Sequence, residues 1–243
     1  EDNDTVIVYP GIYLETIRAN YKTVNIVGVC KDKCIIQMNT ADRAAPPAEL
    51  SSGYVANLTF LQTGSEPIQD IHTANRGQCG YGIHVDTGYS AGKELTIENC
   101  NIISYTDPGI GIGLHPNFKL RLKDCYIQQL IDFDTYPNTQ DIGALYMHES
   151  VAVGGHDQIL ELVNCQIYSS GEYSIGLSGD HGEINDRSAT VVSINTHFWA
   201  KKTGLDSYHT RTEPIAPAIS GSNVFLSPQS YGNNMELFNY KTV

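Results

Sequence analysis

Residues 109–127 read Gly-Ile-Gly-Ile-Gly-Leu-His-Pro-Asn-Phe-Lys-Leu-Arg-Leu-Lys-Asp-Cys-Tyr-Ile, and this stretch decides the fold. Aliphatic side chains occupy every second position from Ile110 to Leu114, and again at Leu120 and Leu122. A period of two is that of a strand with one buried face. The Pro-Asn pair between the two runs is a turn signal. The stretch therefore predicts two strands joined at a corner.

Both ends of this stretch recur along the chain. The pattern aliphatic-x-aliphatic-x-Asn/Asp-Cys-x-Ile occurs at 95–102, 120–127 and 160–167, with weaker copies at 55–60, 195–198 and 223–226. The start of the stretch recurs at 82–86, 144–148 and 174–178. Unequal numbers of residues separate the copies although the strand pattern is constant. This combination predicts a β-solenoid whose insertions lie in loops on one side.

The Asn/Asp-Cys pair of each copy predicts the corner between two strands. Asn and Asp tolerate left-handed backbone geometry, so they can turn the chain there. Equivalent positions in successive turns of a solenoid stack at about 4.8 Å. We therefore expect an Asn/Asp ladder beside an interior column of reduced thiols, Cys100, Cys125 and Cys165. Cys30 and Cys34 could pair or bind a metal, but no second pair of ligands accompanies them.

These motifs resemble the right-handed parallel β-helix of the pectin-lyase-like superfamily, and within it the β-helix modules of bacteriophage tail spikes and appendages. The resemblance spans about residues 4–226, and 8–15 are similar to the first turn of pectin methylesterases, whose catalytic motifs find no match downstream. It implies an all-β chain forming a single-stranded right-handed parallel β-helix (β-solenoid) with long loops on one side. Residues 1–222 would form the helix and 223–243 a C-terminal cap or subunit-contact segment.

The resemblance also implies a function in host attachment. It predicts a virion tail protein that binds a host cell-surface polysaccharide and forms a homotrimer. Other virion proteins would be its partners, and depolymerase activity is left open. One alternative is a free polysaccharide lyase, hydrolase or esterase of the same superfamily, and a second is a purely structural virion protein. These alternatives stay open because this fold hosts many activities. The expected location is the virion tail, or otherwise the extracellular space.

The composition excludes some partners. The formal net charge is −12 and the sequence pI is about 4.9, which argues against nucleic acid and anionic membranes. No stretch approaches the length of a transmembrane helix, so membrane insertion is not expected.

One candidate catalytic site follows from aligning the first strands of the repeats. With the aliphatic residues inward, one outer row would hold His84, Gly113, Tyr146 and Gly176, and the next would hold Asp86, His115, His148 and Ser178. Asp86, His115 and His148 on consecutive turns could form an acid/base site, with Tyr146 assisting proton transfer. No cofactor is predicted, although a divalent cation at this row stays open. The alternative is that the row consists of solvent-exposed surface residues without a catalytic role, or that it contacts another subunit.

Candidate substrate-binding residues lie in the loops and beside this row. Aromatic rings next to carboxylates suit sugar binding, through stacking on pyranose faces and hydrogen bonds to hydroxyls. The alternative is that the rings fasten the loops to the solenoid wall. The loop at 129–141 and the end of the row supply the candidates, which are His84, Asp132, Phe133, Asp134, Tyr136, Asp180 and His181.

Overall fold

A computed structural model of the chain describes residues 2–39, 46–64, 80–85, 88–105, 108–132, 143–149, 158–171, 174–177, 189–200 and 239–240. Within these ranges the protein is all-β, with one short 3-10 turn at Gly88–Ser90 and every strand pairing parallel. Among the described residues no helix is long and apolar enough to cross a membrane.

The strands stack in three columns that run the length of the described structure. The first column contains β1 (Thr5–Val8), β3 (Ile17–Gly28), β5 (Ala48–Ala56), β8 (Glu94–Glu98), β11 (Lys119–Lys123), β14 (Gln158–Val163), β17 (Ala189–Ile194) and β19 (Asn239–Tyr240). The second contains β7 (Ile83–Val85), β10 (Ile110–Leu114), β13 (Leu145–Glu149) and β16 (Ile175–Leu177). The third contains β2 (Gly11–Tyr13), β4 (Cys34–Met38), β6 (Thr59–Gln62), β9 (Asn101–Ser104), β12 (Tyr126–Gln129), β15 (Gln166–Ser169) and β18 (His197–Ala200).

From β7 onward, each sequence repeat supplies one strand to each column in the same order. The first two columns belong to one curled sheet, because the start of β5 pairs with β7 and its end pairs with β8. The third column is a separate sheet. Each strand pairs with its equivalent in the next repeat, as in the pairing of Leu120 with Leu160. This arrangement is compatible with a β-solenoid, and we call one such three-strand repeat a rung.

The predicted Asn/Asp corners are confirmed. Asn57, Asn99, Asp124, Asn164 and Asn195 all have positive φ, between 47° and 57°. Side-chain amides bridge successive corners, with Nδ2–Oδ1 distances of 2.7 Å from Asn99 to Asn57, 3.0 Å from Asn164 to Asp124 and 2.9 Å from Asn195 to Asn164. The left-handed backbone is tolerated there because it costs Asn and Asp little free energy and lets their side chains form local hydrogen bonds.

The core lies between the sheets and includes the predicted thiol column. Cys100, Cys125 and Cys165 are buried free thiols that follow the corner residues. Burial raises the pKa of Cys100 to about 12. Rows of inward aliphatic side chains lie on the columns at either side of these thiols. Those of the first column include Ile97, Leu122 and Leu162, which are fully buried. The core positions therefore follow the alternation in the sequence.

The outer face of the first column carries a network of ion pairs. Lys123 Nζ lies 2.6 Å from Glu98 Oε1, and Glu161 Oε2 lies 2.9 Å from Lys119 Nζ and 3.2 Å from an Arg121 guanidinium nitrogen. The hydrogen bond from Lys123 lowers the pKa of Glu98. Burial acts to raise the pKa of Glu161, but Lys119 and Arg121 outweigh it, so this pKa also lies below its ordinary value. The charges of this face are matched within it.

The predicted C-terminal segment, 223–243, lies outside the described residues except for β19. This short strand pairs parallel with β17, Val192 opposite Asn239 and Ser193 opposite Tyr240. The division at residue 222 stays a prediction.

Candidate functional site

The strand register differs from the one on which the predicted row of Asp86, His115 and His148 was aligned. In the pairing of β10 with β13, Gly113 lies opposite His148, and Gly111 lies opposite Tyr146. On the other side, Gly111 lies opposite His84. The outer row is therefore His84, Gly111, Tyr146 and Gly176, with β10 shifted by two residues from the prediction. His115 falls beyond the end of β10.

The error has a simple physical cause. The Gly-Ile-Gly-Ile-Gly-Leu run repeats every two residues, so a shift of two leaves the same side chains inward and outward. In the observed register the Tyr81 ring lies over Gly111. A Cβ added at Gly111 would approach the Tyr81 ring to 2.6 Å. The Tyr81 and His84 rings are also neighbours, with centroids 4.9 Å apart.

His115 is a fully buried residue in this structure. Its backbone N–H donates to Gln158 Oε1 at 3.0 Å, and its ring meets the Phe118 ring edge-on at 6.5 Å. Tyr146, the predicted proton-transfer partner, is also buried, with 3% of its surface exposed. His115 is thus part of a packed corner, two residues after Gly113.

The remaining predicted residues divide into three groups. His84 is half-buried beside Tyr81, and Asp132 is exposed just after β12. His148 lies in β13, but its side chain is outside the described part of the structure. The others lie outside the described residues altogether, namely Asp86, Phe133, Asp134, Tyr136, Asp180 and His181.

A row of aromatic side chains lies on the outer face of the third column. Ile127, Ile167 and Phe198 face the core on successive strands, so the residues on either side of each face outward. The outward positions hold Tyr126 and Gln128 on β12, Gln166 and Tyr168 on β15, and His197 and Trp199 on β18. We call Tyr126, Tyr168, His197 and Trp199 the aromatic strip.

The rings of the aromatic strip are in mutual contact across three rungs. The Tyr168 ring is the centre, with centroid distances of 5.5 Å to Tyr126, 5.9 Å to His197 and 5.9 Å to Trp199. The rings are tilted by 36° to 44° from one another, so they form a continuous but uneven apolar surface. Trp199, the largest ring, leaves 47% of its surface exposed.

An open pocket of about 450 Å³ adjoins the strip where β12 and β15 end. This volume lies within the range of small-molecule sites. Two rings of the strip, several polar side chains and one carboxylate line it, namely Gln128, Gln129, Leu130, Ile131, Asp132, Tyr168, Ser169, Ser170 and Trp199. The pocket thus combines apolar ring faces with hydrogen-bonding groups.

The polar groups at the pocket are held in place by neighbours. Tyr126 Oη donates to Gln128 Oε1 at 2.9 Å, so the Gln128 amide nitrogen is directed away from the phenol. Burial and the neighbouring Tyr168 raise the pKa of Tyr126, which keeps this donor protonated. Ser169 Oγ donates to Gln129 Oε1 at 2.6 Å and fixes the inner end of the pocket. The site is therefore built on strands, apart from residues 130–132 and Ser170, which follow the ends of β12 and β15.

Among the described residues, no group of three or more His, Cys, Asp or Glu side chains is placed to hold a metal ion. The cation considered for the predicted row is therefore neither supported nor excluded, because Asp86 and the His148 side chain are not described.

Sequence reasoning identified Asp132, but it missed the strip itself. The signal was present in the residues that follow each corner, Cys-Tyr-Ile-Gln at 125–128, Cys-Gln-Ile-Tyr at 165–168 and Thr-His-Phe-Trp at 196–199. Alignment on the corners places one aromatic residue outward in each of the first two repeats, and His and Trp in the third.

Comparison of the chain with protein-family models, with curated proteins and with solved structures gives no match. The site must therefore be interpreted from its own chemistry.

Proposed function

We propose that this chain is a single right-handed parallel β-helix that binds a polysaccharide along the aromatic strip. The right-handed sense is supported by the strong preference of parallel strand connections for that hand. The single observation that carries the function is the strip itself, three contacting rings and a histidine on a rigid sheet beside a polar pocket. Attachment to a host surface as a trimeric virion protein is the wider part of this proposal and rests on the sequence resemblance.

The chemistry of the strip suits a pyranose chain. Sugar rings have apolar C–H faces that pack on aromatic rings, while their hydroxyl groups need donors and acceptors at the edges. Tyr168 and Trp199 supply adjoining faces on consecutive rungs, and Gln128 and Asp132 supply polar groups beside them. Because the rings follow one another across the strands, a bound chain would run from rung to rung.

Binding without turnover is the function that the strip supports. Glycoside hydrolysis uses a pair of carboxyl groups at a set separation. Among the described residues that line the pocket, Asp132 is the one carboxylate. His115, one of the residues of the predicted acid/base row, is buried at a corner.

Trp199 makes the test direct, because it is the only tryptophan in the chain. A glycan array gives hits, and titration of each hit is followed by tryptophan emission and by calorimetry. We expect Tyr168→Ala and Trp199→Ala to weaken binding by about tenfold or more, the loss of about 1.4 kcal/mol of ring stacking. Tyr21→Ala is the control, because Tyr21 is 70% exposed on β3 in the other sheet.

Two results would contradict the proposal. One is binding that survives both strip variants unchanged, since the ligand would then lie elsewhere. The other is chromatographic detection of shortened products after incubation of the parent chain with a bound polysaccharide, which would require catalytic groups near the ligand.

A further inference from the structure

The rings of the aromatic strip recur once per rung. Tyr168 and Trp199 are register partners on neighbouring strands, and Tyr126 lies on the strand before them. The centroid of the Tyr168 ring is 5.5 Å from that of Tyr126 and 5.9 Å from that of Trp199. Neighbouring strands of the sheet are about 4.8 Å apart, so the rings advance at nearly the rung spacing. A ligand therefore meets the next ring by moving one rung along the stack.

The strip begins at β12. The equivalent outward positions on the preceding strand, β9, hold Asn101 and Ile103, which pair with Tyr126 and Gln128. Neither of these two side chains offers a ring, so a chain that stacks on the strip has its first ring contact at Tyr126. The strands β12, β15 and β18 follow one another, and each carries at least one ring of the strip. A ligand that uses all of them presents one apolar sugar face to each rung.

The linkage of a polysaccharide decides whether its sugars can follow this spacing. Where both bonds of the linkage are equatorial, as in a β-1,4-glucan, the pyranose rings lie along the chain axis and the chain is extended. The advance of one sugar is then comparable with the rung spacing of about 4.8 Å. An axial bond at one end of the linkage, as in an α-1,4-glucan, turns the chain at every unit and winds it into a helix. Such a chain curves away from a stack of rungs after one or two ring contacts.

The tilt of the rings favours a single chain over a packed array of chains. The Tyr168 ring is inclined by 36° to Tyr126 and by 44° to Trp199, so no flat surface lies against all of them. The face of a crystalline polysaccharide is flat and rigid. A free chain rotates about each linkage, so its successive sugars can follow rings that are inclined to one another.

We infer that the strip binds single, extended polysaccharide chains whose linkages are equatorial at both bonds, with one sugar on each ring-bearing rung. This inference rests on the proposed function and adds the linkage class to it. It follows from the spacing and tilt of the rings and from the shape of the chain. The identity of the sugar and its charge do not enter it.

The direct test compares two glucose oligomers that differ only in the configuration of the linkage. Cellohexaose is the β-1,4 form and maltohexaose the α-1,4 form, so their composition is the same. Binding is measured by the emission of Trp199, the only tryptophan, and by calorimetry. We expect cellohexaose to bind about tenfold or more tighter than maltohexaose, the effect of losing about one ring contact. The glycan array extends the comparison to other sugars, and its tightest hit should have equatorial linkages.

Tyr126→Ala shortens the strip by its first ring. The measured quantity is the ratio of tetrasaccharide to disaccharide affinity for the tightest-binding oligomer. In the parent we expect this ratio to be about tenfold or more, and in Tyr126→Ala to fall by about fivefold, because Tyr168 and Trp199 still hold a disaccharide. A general loss of affinity in the variant leaves the ratio unchanged. Tyr21→Ala is the matched control, because Tyr21 is an exposed tyrosine of the other sheet, and it should keep the ratio of the parent.

The outcomes separate this inference from the proposed function. Maltohexaose that binds as tightly as cellohexaose, an array whose tightest hit has axial linkages, or an unchanged ratio in Tyr126→Ala overturns the linkage selection while the strip remains a glycan site. Retention on microcrystalline cellulose without binding of cellohexaose overturns the single-chain part. Failure of both hexamers and of the whole array to change Trp199 emission or to release heat contradicts the proposed function, and the linkage selection with it.

Discussion

Replacement of Asn164 tests the corner on which the repeat depends. This residue has φ of 54°, donates through Nδ2 to Asp124 and accepts through Oδ1 from Asn195. Ala loses both exposed hydrogen bonds, at about 0.5 kcal/mol each, and is strained in the left-handed region by about 1–2 kcal/mol. Gly loses the same bonds without strain, but its greater freedom in the unfolded chain lowers the stability by about 0.5 kcal/mol. We expect destabilisation by about 2–3 kcal/mol for Asn164→Ala and about 1.5 kcal/mol for Asn164→Gly.

Urea unfolding followed by circular dichroism measures the difference, provided the variants share one m-value. Asn117 supplies the control, because it also has positive φ, 52°, but lies in a turn outside the ladder. Asn117→Ala should show the strain alone, and Asn117→Gly should be destabilised by only about 0.5 kcal/mol, the cost of its unfolded-state freedom. A variant Asn164→Ala as stable as Asn164→Gly would refute the left-handed corner. Equal costs for Gly at the two positions would refute the contribution of the ladder bonds.

Three further predictions concern packing, charge and thiol burial. Gly111→Ala should destabilise the parent by about 1–3 kcal/mol through overpacking against Tyr81, and by much less in a Tyr81→Ala background, as measured by a double-mutant cycle in urea. The pKa values of Glu98 and Glu161 in the folded protein lie below the ordinary 4.5. Their contribution to the stability of the fold is therefore complete above about pH 4.5 and is lost as the pH falls through these lowered pKa values. Urea midpoints should therefore fall from pH 6 to pH 3, less steeply in Glu161→Gln, and an identical slope would contradict the ion pairs. Cys100 should resist iodoacetamide at pH 8 in the native state and react in urea, as read by peptide mass spectrometry.

The corners could be predicted from the sequence because their cause is local. Asn99, Asp124 and Asn164 are each followed by Cys, and the tolerance of Asn and Asp for left-handed geometry needs no tertiary contact. The inward rows were predictable for the same reason, since alternation in one strand fixes its two faces. Elements whose cause lies within a few residues were thus assigned correctly.

The pairing of β10 could not be derived from alternation. Its Gly-Ile repeat fits the neighbouring strands equally well after a shift of two residues, because either Gly111 or Gly113 leaves room for the Tyr81 ring. Tyr81 lies two residues before β7, so its contact with the next rung is non-local. The candidate row was aligned in the other register, so His148 lies opposite Gly113 and not opposite His115, and the catalytic role of the row stays a prediction.

The outer rows show why the strip is the better candidate for a site. Inward positions are constrained by packing, whereas outward positions are free to carry any side chain that the surface tolerates. On the first column that freedom is used for ion pairs such as Lys123 with Glu98, which satisfy one another. On the third column, Trp199 remains 47% exposed next to Tyr168 and a pocket with polar edges. A matched charge network needs no ligand, but clustered exposed rings beside directed polar groups gain free energy when a ligand covers them. Because the rungs repeat, one outward aromatic residue per repeat is enough to turn that local gain into an extended binding surface.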